Sequence, residues 1–148
     1  MNRSIVQKIH RIGLASVVLV LGPGISAVSA DVVPVVSSKS SIASLSKSQV
    51  IDIFLGRRTR FPDGSLAVPI DQTEGSAARD EFYSKIADMS PAQVKAFWSK
   101  IIFTGRGQPP VAVTTSVEAK KALAANPNAI SYIDMGLVDS SVRVVLAR

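Results

Sequence analysis

The chain has 148 residues, 47% of them apolar, with 17 Lys and Arg against 11 Asp and Glu. At about 150 residues per domain this length predicts one domain, and the apolar fraction suits a globular core rather than a disordered tail. The absence of cysteine excludes a disulfide framework, a thiolate zinc site, an iron–sulfur cluster and a cysteine nucleophile.

Residues 1–30 read as a secretory signal peptide. Arg3, Lys8 and Arg11 lie at its start, Ile12 to Leu21 form an apolar run, and Val28-Ser29-Ala30 fits the small-x-small cleavage rule. The run is too short for a bilayer span, which takes roughly 20 residues. Cleavage after Ala30 is therefore expected, leaving a periplasmic domain over 31–148 with no membrane span. The segment carries three basic and no acidic residues, so the net charge of +6 falls to +3 over the remaining 118 residues. That weakly basic surface gives no ground for a nucleic-acid partner. The one histidine, His10, leaves with the segment. Without His or Cys the mature chain cannot build a Ser-His-Asp triad or a His-ligated metal or haem site, so no cofactor, no metal and no enzymatic activity are expected. Gly22-x-Gly24 follows no strand and is not a dinucleotide fingerprint.

The β-branched run Val32-Val33-Pro34-Val35-Val36 predicts a buried strand, followed by a serine-rich loop. Ser46 stands three residues before Gln49, the capping-box spacing, and predicts a helix to Leu55 with Val50, Ile51, Phe54 and Leu55 inward and Gly56 as its stop. Arg57, Arg58 and Arg60 then form a basic loop, expected to face water, closed by a Pro62-Asp63-Gly64 turn. Leu66 to Ile70 predicts a short strand, placed at an edge because of Pro69. Asp71 to Gly75 reads as a polar connection into a helix beginning near Ser76, with Phe82, Tyr83 and Ile86 on one face. Ser90-Pro91-Ala92-Gln93 combines an N-cap, a first-turn proline and a box-closing glutamine. Val94, Phe97, Trp98, Ile101 and Ile102 give the following helix an apolar stripe, with Trp98 expected as a core anchor rather than a ligand-stacking group. Thr104 to Pro110 is an irregular loop. A last helix starts at Thr115, boxed by Glu118, and Ala129–Asp134 and Val142–Leu146 predict two closing strands. Helices alternating with strands imply an α/β sheet covered on both faces.

Three places could carry chemistry. Gly75-Ser76-Ala77-Ala78 at a helix start offers free N–H groups, a hydroxyl and the positive end of the helix dipole to an anion, with Arg79 one turn in; the plainer reading is a helix cap. The arginines at 57, 58 and 60 could clamp a phosphate or simply be solvated. Asp71, Glu74 and Arg106 could assemble a carboxylate site if burial brought them together.

The order of these motifs resembles the periplasmic phosphate-binding proteins of ABC transporters. The opening valine strand, the serine-led helix ending Ile53-Phe54-Leu55-Gly56, and the strand leading to Gly75-Ser76 match that family's course, in which a Gly-Ser-Gly-Thr helix start grips the anion. Asn126-Pro127-Asn128-Ala129-Ile130-Ser131-Tyr132-Ile133 is similar to its Pro-Gly-Ala-Ile-Gly-Tyr-Val strand entry. Phe103-Thr104-Gly105-Arg106-Gly107-Gln108-Pro109-Pro110 matches short, single-lobe relatives. The resemblance implies an α/β domain, a single lobe of the type 2 periplasmic-binding-protein fold with a mixed sheet flanked by helices. It also implies phosphate or another oxyanion at Gly75, Ser76, Ala77, Ala78 and Arg79, and a link to ABC transport. The family's binding threonine falls at Ala78, its glycine at Ala77 and its arginine at Asp71 or Gln72. Those departures imply weak capture, with an envelope protein or a second copy completing the cleft. The alternative is an interaction or scaffold module that keeps the lobe without a ligand.

Overall fold

The computed structural model describes residues 31–147; the signal peptide expected at 1–30 lies outside them. The chain runs β1 (Val32–Ser37), α1 (Lys47–Phe54), β2 (Val68–Gln72), α2 (Ala77–Ala87), α3 (Pro91–Phe103), β3 (Val111–Val113), α4 (Ser116–Ala125), β4 (Ala129–Asp134), a single 3-10 turn (Met135–Leu137) and β5 (Val142–Val144). The strands form one mixed sheet in the order β3-β2-β4-β1-β5. β2 is parallel to both β3 and β4, while β1 is antiparallel to β4 and β5.

Both faces of the sheet are covered. Along β4 side chains alternate, so Ile130 and Tyr132 join Val32 and Val36 beneath α1, α2 and α3, whereas Ala129 and Ile133 join Val35 and Ile70 beneath α4. Helices α1 and α3 begin with capping boxes at Ser46–Gln49 and Ser90–Gln93, each side chain satisfying a backbone N–H that the helix start leaves unpaired. Gly56 ends the first at φ +68 and Asp88 ends α2 at φ 52, both left-handed stops.

The α/β class and the covered mixed sheet agree with the sequence reading, and six details correct it. A strand was missed: Val111–Val113 pairs with Ile70–Gln72. β2 lies two residues later than the pattern suggested, so Asp71 and Gln72 are buried strand residues and not part of a polar connection. β2 is also interior. Pro69 is tolerated because β3 pairs only from Ile70 onward, so at the proline β2 has a neighbour on the β4 side alone. On α1 the inward face holds Ile53, while Ile51 is half-buried; on α3 Ile102 is 47% exposed, since only Val94 and Trp98 are fully covered. The last strand stops at Val144, and Leu146 makes a lone bridge to Leu45.

Candidate functional site

In an open α/β sheet, ligands gather outside the carboxyl ends of parallel strands, where successive connections leave to opposite faces. β2 feeds α2 on one face and β3 feeds α4 on the other, so the switch point lies between the ends of β2 and β3. The start of α2 and the start of α4 flank it. Gly75 takes φ +86 there, a conformation that glycine adopts without strain. Ser76 caps α2, its Oγ accepting from the Arg79 N–H at 3.2 Å, and its own N–H donates to the Thr73 carbonyl at 3.1 Å. The N–H groups of Ala77 and Ala78 have no acceptor among the described residues and sit at the positive end of the α2 dipole.

Beneath this helix start lies a buried polar cluster centred on Asp71, which is 3% exposed. Its Oδ2 accepts from the Tyr83 hydroxyl at 2.8 Å and from Arg79 Nε at 3.4 Å. Its Oδ1 accepts from the Tyr132 hydroxyl and from the Gln72 N–H at 2.8 Å. Burial first, and then the Asp71 charge, push both phenol pKa values well above the ordinary tyrosine range. The Arg79 guanidinium also lies over the Tyr83 ring at 5.1 Å. Gln72 donates from Nε2 to Ser116 Oγ at 3.2 Å and to the Tyr132 carbonyl at 3.2 Å, and Ser116 Oγ donates to Asp134 at 2.9 Å. One connected network thus ties the ends of β2 and β4 to the first turns of α2 and α4.

Gly75, Ser76, Ala77, Ala78 and Arg79 are therefore contiguous at the switch point, but Arg79 is turned inward onto Asp71 rather than outward. The expected assembly of Asp71, Glu74 and Arg106 does not form. Asp71 is buried against Arg79, Glu74 is an exposed residue paired with Lys95 at 3.0 Å, and Arg106 lies at the other end of β2. The basic loop is split. Arg60 donates to the Gly64 carbonyl at 2.9 Å, while Arg57 and Arg58 join Arg106 around a separate cleft near the start of β2. Trp98 is a core residue at 6% exposure whose ring also walls that cleft.

The sequence reading places the α4 start at Thr115, as observed, but does not bring Thr114, Thr115 or Ser116 to the site. The Thr114 N–H and hydroxyl are already taken by Glu118 at 2.8 and 2.7 Å, whereas the Ser116 N–H has no acceptor among the described residues. The missing signal was the short strand Val111-Ala112-Val113 just before that threonine N-cap, hidden by the prolines that precede it.

No protein-family profile matches the chain, and no curated protein does. Solved structures do match. A phosphate ABC transporter substrate-binding protein from Clostridium perfringens, solved with bound phosphate, superposes on 78% of this chain with TM-score 0.58 at 20% identity. An ABC-type phosphate transport receptor from Vibrio cholerae covers 77% with TM-score 0.60 at 19% identity, and PstS from Borrelia burgdorferi 78% with TM-score 0.57 at 13% identity. The chain has the fold of the phosphate substrate-binding proteins. It spans 44%, 44% and 46% of those three proteins, less than half of each. Among the described residues no helix is long and apolar enough to cross a membrane.

Proposed function

We propose that this chain is an exported substrate-binding-protein lobe that takes phosphate or a related oxyanion at the start of α2, in association with ABC transport. The observation that carries the reading is the pair of free N–H groups at Ala77 and Ala78, placed beside the switch point of a sheet shared with phosphate-binding receptors. The backbone donors and the Ser76 hydroxyl would hold the anion, as helix N-termini do. Affinity is weak because Asp71 neutralises Arg79 and because Asp80 adds a carboxylate in the same turn. Cleavage after Ala30, a mature domain over 31–148, a periplasmic location and a second wall supplied by an envelope protein or another copy belong to the same proposal. So does binding without catalysis.

The test is a thermal-shift panel with phosphate, sulfate and chloride at matched ionic strength, on the protein and on Ser76→Asp. Ligand at a hundred times its dissociation constant adds about 2.7 kcal/mol. The aspartate keeps a good cap but repels an anion. A phosphate-dependent rise lost in Ser76→Asp supports the site, and an equal rise in both overturns it.

One observation favours a second reading, the module that keeps the fold for protein contact. Phe103 is 93% exposed, Val111 70% and Ile102 47%, and these three bracket the loop at 104–110. A flat anion panel would favour that reading over the first.

A further inference from the structure

A cleft of about 560 Å³ opens near the start of β2, walled by the C-terminal parts of α1 and α3 and by the loop at 104–110. Its volume falls in the range of small-molecule sites, and its make-up follows their rule, apolar walls with a few convergent polar groups. Phe97, Trp98 and Ile101 of α3 form one wall, and the edge of the Trp98 ring reaches to 3.4 Å from the place a Cβ would occupy on Gly56. Arg57, Arg58 and Arg106 supply the charge, and no Asp or Glu lines the cleft.

The three arginines differ in what already holds them. Arg57 pairs with Asp52 at 3.6 Å and lies 5.9 Å from the centre of the Phe97 ring. Arg58 and Arg106 have no carboxylate within 4.0 Å and no side-chain hydrogen bond among the described residues. The loop carrying Arg106 is fixed to the end of α3 by its own N–H to the Ile101 carbonyl at 3.1 Å and by Gly105 to Ile102 at 3.0 Å, with Gly105 at φ +66. The backbone that carries Arg106 is thus set before any ligand arrives, while the exposed Arg58 and Arg106 side chains remain free to turn onto an anion.

We propose that this cleft binds a small organic anion with an apolar body, its carboxylate or phosphate held by Arg58 and Arg106 and its tail or ring against Phe97, Trp98 and Ile101. Charge complementarity selects an anion, and the apolar wall selects against inorganic phosphate, which gains nothing from burial there. The site lies at the opposite end of β2 from Ser76 and does not rest on the oxyanion reading.

Trp98 is the single tryptophan of the chain, so its emission reports the cleft directly. The experiment titrates the protein with octanoate and octyl phosphate, with octanol, acetate and inorganic phosphate as controls. The expected result is a saturable change of Trp98 emission with one or both amphipathic anions, and a weaker one with octanol. Acetate and phosphate should give none. Which of the two anions binds more tightly identifies the head group. Because Arg58 and Arg106 support no other residue, the double variant Arg58→Ala/Arg106→Ala should keep the same thermal midpoint and bind at least about tenfold more weakly, as loss of charged hydrogen bonds implies. Ser76→Asp should bind as the parent does. Equal affinity for octanol and octanoate, unchanged binding by the arginine double variant, or no saturable change with either anion would each overturn the proposal.

Discussion

Asp71→Asn exchanges a buried carboxylate for an amide of nearly the same volume, so its effect isolates charge from packing. Oδ2 of Asp71 now serves Tyr83 and Arg79, and Oδ1 serves Tyr132 and the Gln72 N–H. An asparagine keeps one acceptor oxygen for Tyr132 and Gln72 and presents N–H to the other pair. Tyr83 can rotate its hydroxyl to accept that N–H, but a guanidinium has no lone pair with which to do so. The Arg79 side chain, 10% exposed, would be left as a buried cation without its counter-charge. Breaking such a pair by changing one partner costs about 3–5 kcal/mol. The Nε to Oδ2 distance of 3.4 Å is long for a strong bond, which places this case near about 3 kcal/mol, the lower end of that range. For a domain of this size that lowers the melting temperature by about 10 °C. Urea unfolding and calorimetry at neutral pH would measure both quantities. The double variant Asp71→Asn/Arg79→Met should recover most of the loss, since an apolar replacement of a buried ion pair is often neutral. The same Asp71→Asn change leaves the Arg79 charge uncompensated in the first turn of α2 and should tighten phosphate binding. A loss below about 1 kcal/mol, or no recovery in the double variant, would refute the assignment of Asp71 as the charge that holds Arg79.

Three further outcomes follow from the same geometry. Tyr83 and Tyr132 are the two tyrosines of the chain, and both are pushed up by burial and by Asp71. Above pH 10 the unfolded chain loses phenol protons that the folded chain keeps, so stability is intact below about pH 10 and falls above it by about 2.7 kcal/mol per pH unit for two groups. Tyrosinate absorbance should therefore rise together with unfolding, and a rise near pH 10 in protein still folded by circular dichroism would contradict the cluster. Gly75→Ala meets no atom within 4 Å, yet φ is +86, so its cost of about 1–2 kcal/mol is backbone strain alone, and chemical denaturation with no loss would argue against the left-handed turn. Phe103→Ser should leave the melting temperature unchanged, because that ring is 93% exposed and buries nothing; a marked drop would place it in the core.

Much of this architecture is legible in the sequence because it is carried by short-range chemistry. The capping boxes at Ser46 and Ser90 and the left-handed stop at Gly56 are local rules, and α1 and α3 follow them closely. The start of α2 at Ser76 was legible for the same reason. What the sequence hid is long-range. Asp71 and Gln72 look like loop residues, and their burial depends on distant partners: the hydroxyls of Tyr83 and Tyr132, 12 and 61 positions away, together with Arg79 for Asp71, and Ser116 and the Tyr132 carbonyl for the Gln72 amide. Burial of Arg79 follows from the same cluster and reverses its expected direction. The three residues of β3 are too few to show an alternation, and their position is decided by pairing with β2. The cleft near Trp98 escaped notice because its arginines come from segments about fifty residues apart, and each segment alone reads as a solvated loop.

The central claim is that the first turn of α2 receives an oxyanion through its backbone. Titrating the isotopically labelled protein with phosphate and following amide resonances at constant ionic strength would test it residue by residue. The account predicts saturable shifts at Ala77 and Ala78 that are abolished in Ser76→Asp and enlarged in Asp71→Asn. Shifts confined to Arg57, Arg58 and Arg106, or no saturable shift at Ala77 and Ala78, would contradict it.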